Sequence, residues 1–342
     1  MRIAVLAPIA WRTPPISYGP WEQVASTITE GMVNKGHEVR LFASGNSITR
    51  AKLESVCSLP YEMDPSSDPK VLECLHISHL MEQAEDFDII HNHFDFLPLT
   101  YSRLIKTPMI TTIHGFSSAK ILPVYKKYND SVAYISISNS DRSRELTYMD
   151  TIYHGIDPEL FTFRADKEDY LVYFGRIHPD KGLDKAITIA EQSNLPLKIA
   201  GLIQDQSYFK SQIEPKLNDS TINYLGNLGK KERDQLLGGA KALLHPISFE
   251  EPFGLSVLEA MMCGTPVIAF ARGSMPELIM EGRSGFLVDT IAEAVLAVDK
   301  LDEIYPANCR AHAENNFSRA RMISSYEDAY RKTIAKAQNL AQ

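Results

Sequence analysis

Residues 248–268 read Ser-Phe-Glu-Glu-Pro-Phe-Gly-Leu-Ser-Val-Leu-Glu-Ala-Met-Met-Cys-Gly-Thr-Pro-Val-Ile. Pro252 fits the first turn of a helix, and Gly254 lets another group approach the backbone closely. The spacing predicts a helix over 254–263, followed by an apolar strand at Val267–Phe270 and preceded by another at Leu243–His245. Strand, loop, helix and strand in this order form a βαβ unit, which places its strands side by side in a parallel sheet.

The same alternation runs through the rest of the chain. Upstream, Tyr170–Phe174, Leu197–Ala200 and Ile222–Leu225 read as strands, with helices at Lys181–Gln192 and Lys230–Ala240. An earlier set of strands is predicted at Ile3–Ala7, Val39–Ala43, Asp88–His91, Met109–Ile113, Val132–Ile137 and Thr151–Tyr153. Trp21, Val24, Ala25, Ile28 and Met32 recur at three- and four-residue steps, so Trp21–Lys35 reads as an amphipathic helix that Lys35-Gly36 stops. From about Thr290 the pattern is almost wholly helical, ending in a long amphipathic stretch over 318–338 with Met322, Ile323, Tyr326, Ala329, Tyr330 and Ile334 on one side. The polar stretch 154–169 reads as a linker. The expected organisation is α/β, with two doubly wound parallel-sheet domains over 1–158 and 159–317, and a C-terminal helix over 318–342. Ligands of such sheets bind beyond the C-terminal ends of the strands, and a cleft between two such domains is the default site.

With 342 residues, 44% apolar and 23% charged, the chain has ordinary globular composition and room for two domains. Its net charge of −8 argues against general nucleic-acid binding, which needs a basic face to displace counterions. An anionic ligand must therefore be held by a few local cations or helix ends. Cys57, Cys74, Cys263 and Cys309 have neither zinc nor redox spacing, which suggests a reduced, cytoplasmic protein. The apolar N-terminus reads as a buried strand rather than a signal peptide, and no stretch is long enough to span a bilayer.

Glu251 and Glu259 are the first candidates for chemistry. A carboxylate can accept two hydrogen bonds from a diol such as a ribose, and free N–H groups at a helix start can bind phosphate. The alternative is a solvated helix with incidental glutamates. The loop 175–182 follows a strand and carries Arg176 and Lys181, a guanidinium fork and a mobile ammonium suited to a diphosphate. Gly19, in the loop before the first helix, would permit close approach to phosphate. His91, His93 and Asp95 could mimic a metal site, although the simpler reading is that they end a strand. No aspartate-x-aspartate pair points to a metal.

These motifs resemble the retaining GT-B glycosyltransferases of family 4. The segment Glu251–Glu259 resembles that family's E-x7-E region, and Phe174-Gly-Arg-Ile-His-Pro-Asp-Lys-Gly182 its donor-phosphate loop. Pro14–Glu22, Gly36–Gly45, Asp88–His93, Thr111–Gly115 and His154–Asp157 follow in the family's order. The resemblance implies two Rossmann-like domains facing a central cleft, the first (1–158) binding the acceptor and the second (159–317) the nucleotide sugar, with the last helix (318–342) packing back on the first, and a metal-independent transfer of a hexose from a UDP-glucose-type or GDP-mannose-type donor to a hydroxyl acceptor. It implies catalytic roles for His114, Glu251, Arg176 and Lys181. It further implies nucleotide-sugar contacts at Gly19, Gly201, Asn227, Leu228, Phe253, Gly254, Leu255 and Glu259, with no cofactor or metal. The sequence departs from the family at Tyr18-Gly19-Pro20, where relatives have two adjacent glycines and Pro20 lacks an N–H donor.

The acceptor implied is a saccharide, a glycolipid or a small molecule. A nucleotide-sugar epimerase on the same fold and a non-enzymatic sugar-nucleotide module are the rival readings. Free epimerised sugar would mark the first, and absence of donor hydrolysis the second. A polysaccharide phosphorylase would need a longer chain and a pyridoxal lysine. Lys120, Lys126, Lys127, Arg142 and Arg144 read as a solvated basic face, with peripheral contact at the inner membrane face as the alternative.

Overall fold

The computed structural model describes residues 1–16, 19–116, 118–218 and 220–341. Contacts divide the chain into two units. Unit 1 comprises Met1–Ile137, Arg142–Tyr153 and Ala320–Gln342, and unit 2 comprises Ser138–Asp141 and His154–Arg319.

Unit 1 is built on seven parallel strands: β1 (Arg2–Leu6), β2 (Glu38–Phe42), β3 (Lys52–Glu54), β4 (Ile89–Asn92), β5 (Met109–Ile113), β6 (Val132–Ser136) and β7 (Asp150–Thr151), in the order β3-β2-β1-β4-β5-β6-β7. A strand covered on both faces is apolar along most of its length, and β1 shows it from Ile3 to Leu6. Ile3 and Val5 pack with Val24, Ala25, Ile28 and Met32 of the helix Pro20–Asn34, whereas Ala4 and Leu6 pack on the other face with Ile77 and Leu80 of the helix Pro69–Met81. The C-terminal helix Arg319–Ala341 joins the first of these layers through Met322, Ile323, Tyr326, Ala329 and Tyr330. Gly31 permits this, because a methyl there would lie 2.4 Å from Ile323 Cδ1.

Unit 2 has six parallel strands: β8 (Leu171–Phe174), β9 (Leu197–Ala200), β10 (Ile222–Tyr224), β11 (Ala242–His245), β12 (Val267–Phe270) and β13 (Gly285–Val288), in the order β10-β9-β8-β11-β12-β13. In both sheets the order reverses direction once, between β1 and β4 in unit 1 and between β8 and β11 in unit 2. Those switch points are where ligand crevices form.

Most strands fall within a residue or two of the sequence reading, with three differences. The edge strands β3 and β13 were not expected: one is only Lys-Leu-Glu, and the other opens on glycine. The helix expected at Lys181 begins at Leu183, because Gly182 adopts φ 68° and ends a separate 3-10 turn, Pro179–Lys181. The stretch read as a linker belongs to unit 2. Ile156 bridges Ser318, and Arg310 donates to the carbonyls of Pro158, Phe161 and Met262. No helix among the described residues is long and apolar enough to cross a membrane. Within the basic stretch, Lys126 pairs with Glu145, and Lys127 and Arg142 lie over the rings of Tyr128 and Tyr148.

Candidate functional site

At the unit 2 switch point, β8 runs into the loop 175–182 and β11 runs through His245 into the loop 246–254. The two loops are drawn together by backbone contacts. Ser248 N–H donates to the Asp180 carbonyl at 2.7 Å. Gly182 lies so close to the Pro246 carbonyl that a methyl would sit 2.1 Å from its oxygen. This packing joins residues seventy positions apart: the Lys181 ammonium donates to the Glu251 carboxylate, with side-chain exposures of 13% and 11%. Lys181 also lies 4.8 Å from the centroid of the Phe249 ring. His245 Nε2 lies 3.6 Å from the same carboxylate.

The electrostatics follow from burial. Burial alone would push Glu251 up, but His245 and Lys181 outweigh it and hold the carboxyl at about 2. Burial, assisted by the nearby Lys181, lowers His245 against the pull of Glu251. The stable assignment is an ammonium–carboxylate pair beside a neutral imidazole. The strap that holds Glu251 comes from the loop after β12. Ser274 N–H donates to the Glu251 carbonyl at 2.9 Å, and a methyl on Gly273 would lie 2.3 Å from the Glu251 nitrogen.

Arg176 leaves the same strand end but pairs elsewhere, with the amide oxygen of Gln204. That partner is neutral, so the guanidinium keeps its charge. Gly201 supports the arrangement, with its N–H on the Gly226 carbonyl at 3.0 Å and its Cα against Gly175. Gly254 takes φ 99° at the start of the helix Leu255–Met262. Phe253 is buried against His154 and Phe317, and its carbonyl accepts from the Ser274 hydroxyl. Glu259 does not share Glu251's partners. It faces Arg233 at 3.4 Å, and burial raises it against the pull of Arg233 and Lys230. Asn227 is exposed and Leu228 half-buried in the loop after β10. His245, Arg233, Gln204 and Phe249 were not foreseen as site residues. His245 ends β11, Gln204 and Phe249 lie in loops and Arg233 lies within the helix Lys230–Gly239, but nothing in the sequence marks their side-chain directions.

In unit 1, His114 follows β5 and stacks on Trp21, with centroids 5.4 Å apart and planes at 20°. Its Nε2 meets His93 Nδ1 at 2.9 Å, His93 Nε2 meets His91 Nδ1 at 3.3 Å, and that Nδ1 also meets the Tyr330 hydroxyl at 2.7 Å. His91 Nε2 meets Thr112 at 2.8 Å. The three imidazoles form a hydrogen-bonded chain, and burial keeps His91 neutral by lowering it well below its usual range. Among the described residues no three His, Cys, Asp or Glu are grouped to hold a metal.

Gly19 caps the first helix with φ 146°, but the space beside it holds Pro15 and the Glu22 carboxyl, 2.9 and 3.0 Å from where a methyl would sit. Tyr18, its neighbour in the departure noted above, lies outside the described residues. Glu22 is only 3% exposed, and burial pushes it up to about 7 despite the Trp11 N–H at 3.3 Å. A folded-state value above the unfolded one means that ionisation opposes folding. This cost is absent at low pH and grows as pH rises from about 4.5 through 7. Glu22→Gln should therefore stabilise the chain by about 1–3 kcal/mol at pH 8 and by little at pH 4.5 in paired denaturant melts. An equal effect at both pH values would refute the buried-carboxyl account.

Two family models match this chain almost end to end: "Glycosyltransferase Family 4" over residues 22–160 and "Glycosyl transferases group 1" over 161–318. A glycogen synthase of Mycobacterium tuberculosis is 24% identical, over 93% of this chain and 90% of that protein. Among solved structures, sucrose-phosphate synthase from Thermosynechococcus elongatus superposes with a TM-score of 0.80 at 17% identity, covering 98% of this chain and all of that one. The Anabaena protein HepE, solved in complex with UDP and glucose, gives 0.74 at 20% identity, covering 97% and 100%. These likenesses show that the two doubly wound sheets are those of a GT-B fold.

Proposed function

This chain belongs to the family 4 glycosyltransferases, and on that premise we propose a metal-independent, retaining transfer of a hexose from a nucleoside-diphosphate sugar to a hydroxyl acceptor. The observation that carries the proposal is the buried Lys181–Glu251 pair at the unit 2 switch point, with the uncancelled charge of Arg176 on the same loop. A diphosphate needs cations, and this chain, with a net charge of −8, offers them here. In the reading we propose, Arg176, Lys181 and the N–H groups after Gly254 hold the diphosphate and stabilise it as it leaves.

Glu251, kept anionic by its neighbours, accepts hydroxyl hydrogen bonds from the transferred sugar. Glu259 accepts from the ribose, and Asn227 and Leu228 offer backbone groups to the base. His114 supplies the sugar contact that the family resemblance gives it. The bond from C1 to the β-phosphate oxygen breaks, the acceptor oxygen bonds C1 from the same face, and its proton passes to the departing phosphate. A trapped covalent glycosyl-enzyme or an inverted anomer would count against front-face attack.

HepE's complex with UDP and glucose favours a UDP-hexose donor. The test is a panel of UDP, GDP and ADP sugars, scored by thermal stabilisation and by slow hydrolysis in NMR. A UDP-hexose should raise the melting temperature and be hydrolysed slowly, and Arg176→Ala should abolish the hydrolysis. No response to any nucleotide sugar would sink the proposal. Free epimerised sugar would turn it towards an epimerase.

A further inference from the structure

Unit 1 has its own crevice at its switch point. A cavity of about 450 Å³ lies beyond the ends of β1 and β4, between the loop that carries Trp11, the helix start that carries Trp21 and Glu22, and the loop that carries Phe94 and Asp95. That volume is in the range of small-molecule sites. The family resemblance puts the acceptor on this domain, and we propose that the acceptor presents to this cavity a sugar ring bearing no phosphate or carboxylate. The inference rests on the glycosyl transfer proposed above and adds the chemical class of the acceptor.

Three features of the wall converge on that class. The first is an aromatic lining: Trp11, Trp21 and Phe94 are side chains of the kind that packs on the apolar C–H face of a pyranose. The second is a set of acceptors. Glu22, Glu73 and Asp95 all line the cavity, and a carboxyl can take two hydroxyl hydrogen bonds. Asp95 is set in place by a positive φ of 71° and by the Tyr125 hydroxyl, which donates to it.

The third feature is the charge. Among the described residues no Lys, Arg or His lines the cavity. Arg12, nearby in sequence, is turned to the Pro14 carbonyl at 3.0 Å. A phosphate or carboxylate on the ligand would enter beside three carboxyls with no cation to offset it, which is costly in a partly dry site. Burial already pushes Glu22 up to about 7 and Asp95 to about 6, so the wall resists the negative charge it carries and would resist more. Location completes the argument. Trp21 is both a wall of this cavity and the ring stacked on His114. A sugar held on Trp21 therefore lies beside the histidine that the proposed function gives to the transferred sugar.

Ligand-observed NMR on the full chain tests this with neutral methyl glycosides and disaccharides, their 6-phosphates, and glycerol phosphate as probes. The neutral sugars should bind at least roughly tenfold more tightly than their phosphates. Trp11→Ala should weaken them by a similar factor, with Trp11→Phe as the milder variant should the first not fold. UDP-induced thermal stabilisation should be unchanged in these variants. Leu97→Arg adds a cation at the exposed rim and should shift preference towards the phosphates. Tighter binding of the phosphates by the unmodified chain, or neutral-sugar binding insensitive to both Trp11 variants, overturns the proposal. Failure of UDP to stabilise the chain, with neutral sugars still bound, would instead count against the donor reading.

Discussion

Lys181→Ala is expected to lower kcat/KM for the sugar nucleotide by about tenfold to a few hundredfold, since a charge-assisted bond to a charged ligand contributes roughly 1.5–3 kcal/mol. The substitution also acts on the resting protein. Removing one member of a buried pair leaves the other charged and desolvated, typically at a cost of about 3–5 kcal/mol. Here the cost is moderated. His245 stands 3.6 Å from Glu251 and is kept neutral by burial and by Lys181 itself. With the ammonium gone, the imidazole can take a proton and replace part of the pairing.

Catalytic and structural losses separate in Lys181→Ala/Glu251→Gln, which has no stranded charge. The double variant should regain most of the lost stability, while kcat/KM falls further, because Glu251 itself contacts the transferred sugar in the proposed reading. Recovery of kcat/KM with stability would show that Lys181 serves the fold alone. The sign of the acid response follows from the same pair. Glu251 is held at about 2 in the folded chain, against an ordinary value of 4.5. Its contribution is therefore full above about pH 4.5 and fades as pH falls towards 2, and Glu251→Gln should flatten that limb of the stability curve.

The sequence announces the individual members of this site but not their pairing. Lys181 and Glu251 were named from their loops, because glycine next to a strand end and a cation in an acidic chain are local signals. That their side chains meet depends on Gly182 lying against Pro246, a contact between residues sixty-four positions apart. Glu259 shows the converse. It stands in the same short segment as Glu251, yet each glutamate meets its own cation, Lys181 for Glu251 and Arg233 for Glu259. Likewise the alternation in β4 put His91 and His93 on one face, but their chain to His114 and Tyr330 needs β5 and the C-terminal helix in place. The parallel sheets were legible because most of their buried strands are runs of largely apolar residues. The polar edge strand β3 and the glycine-led β13 lack that signal.

Gly201→Ala is expected to destabilise unit 2 by about 3 kcal/mol or more and to reduce nucleotide binding with it. Gly201 has φ 148°, and a methyl on it would lie 1.7 Å from the Gly175 carbonyl oxygen and 2.7 Å from its carbon. Both are backbone atoms, so no rotamer change relieves the clash and the two loops must part. What they hold is the base of the proposed donor site. Ile177 N–H donates to the Leu202 carbonyl at 2.8 Å, Gln204 N–H donates to the Ile177 carbonyl at 3.2 Å, and Gln204 in turn holds Arg176. The control is Gly282→Ala. Gly282 also has a positive φ, 67°, but a methyl there meets nothing within 4 Å. That substitution carries only the conformational strain, about 1–2 kcal/mol. Denaturant melts followed by a probe in unit 2, with UDP binding measured on the folded fraction, should separate the two variants. If they lose equal stability, the close approach of Gly175 and Gly201 does not hold the Arg176 loop in place.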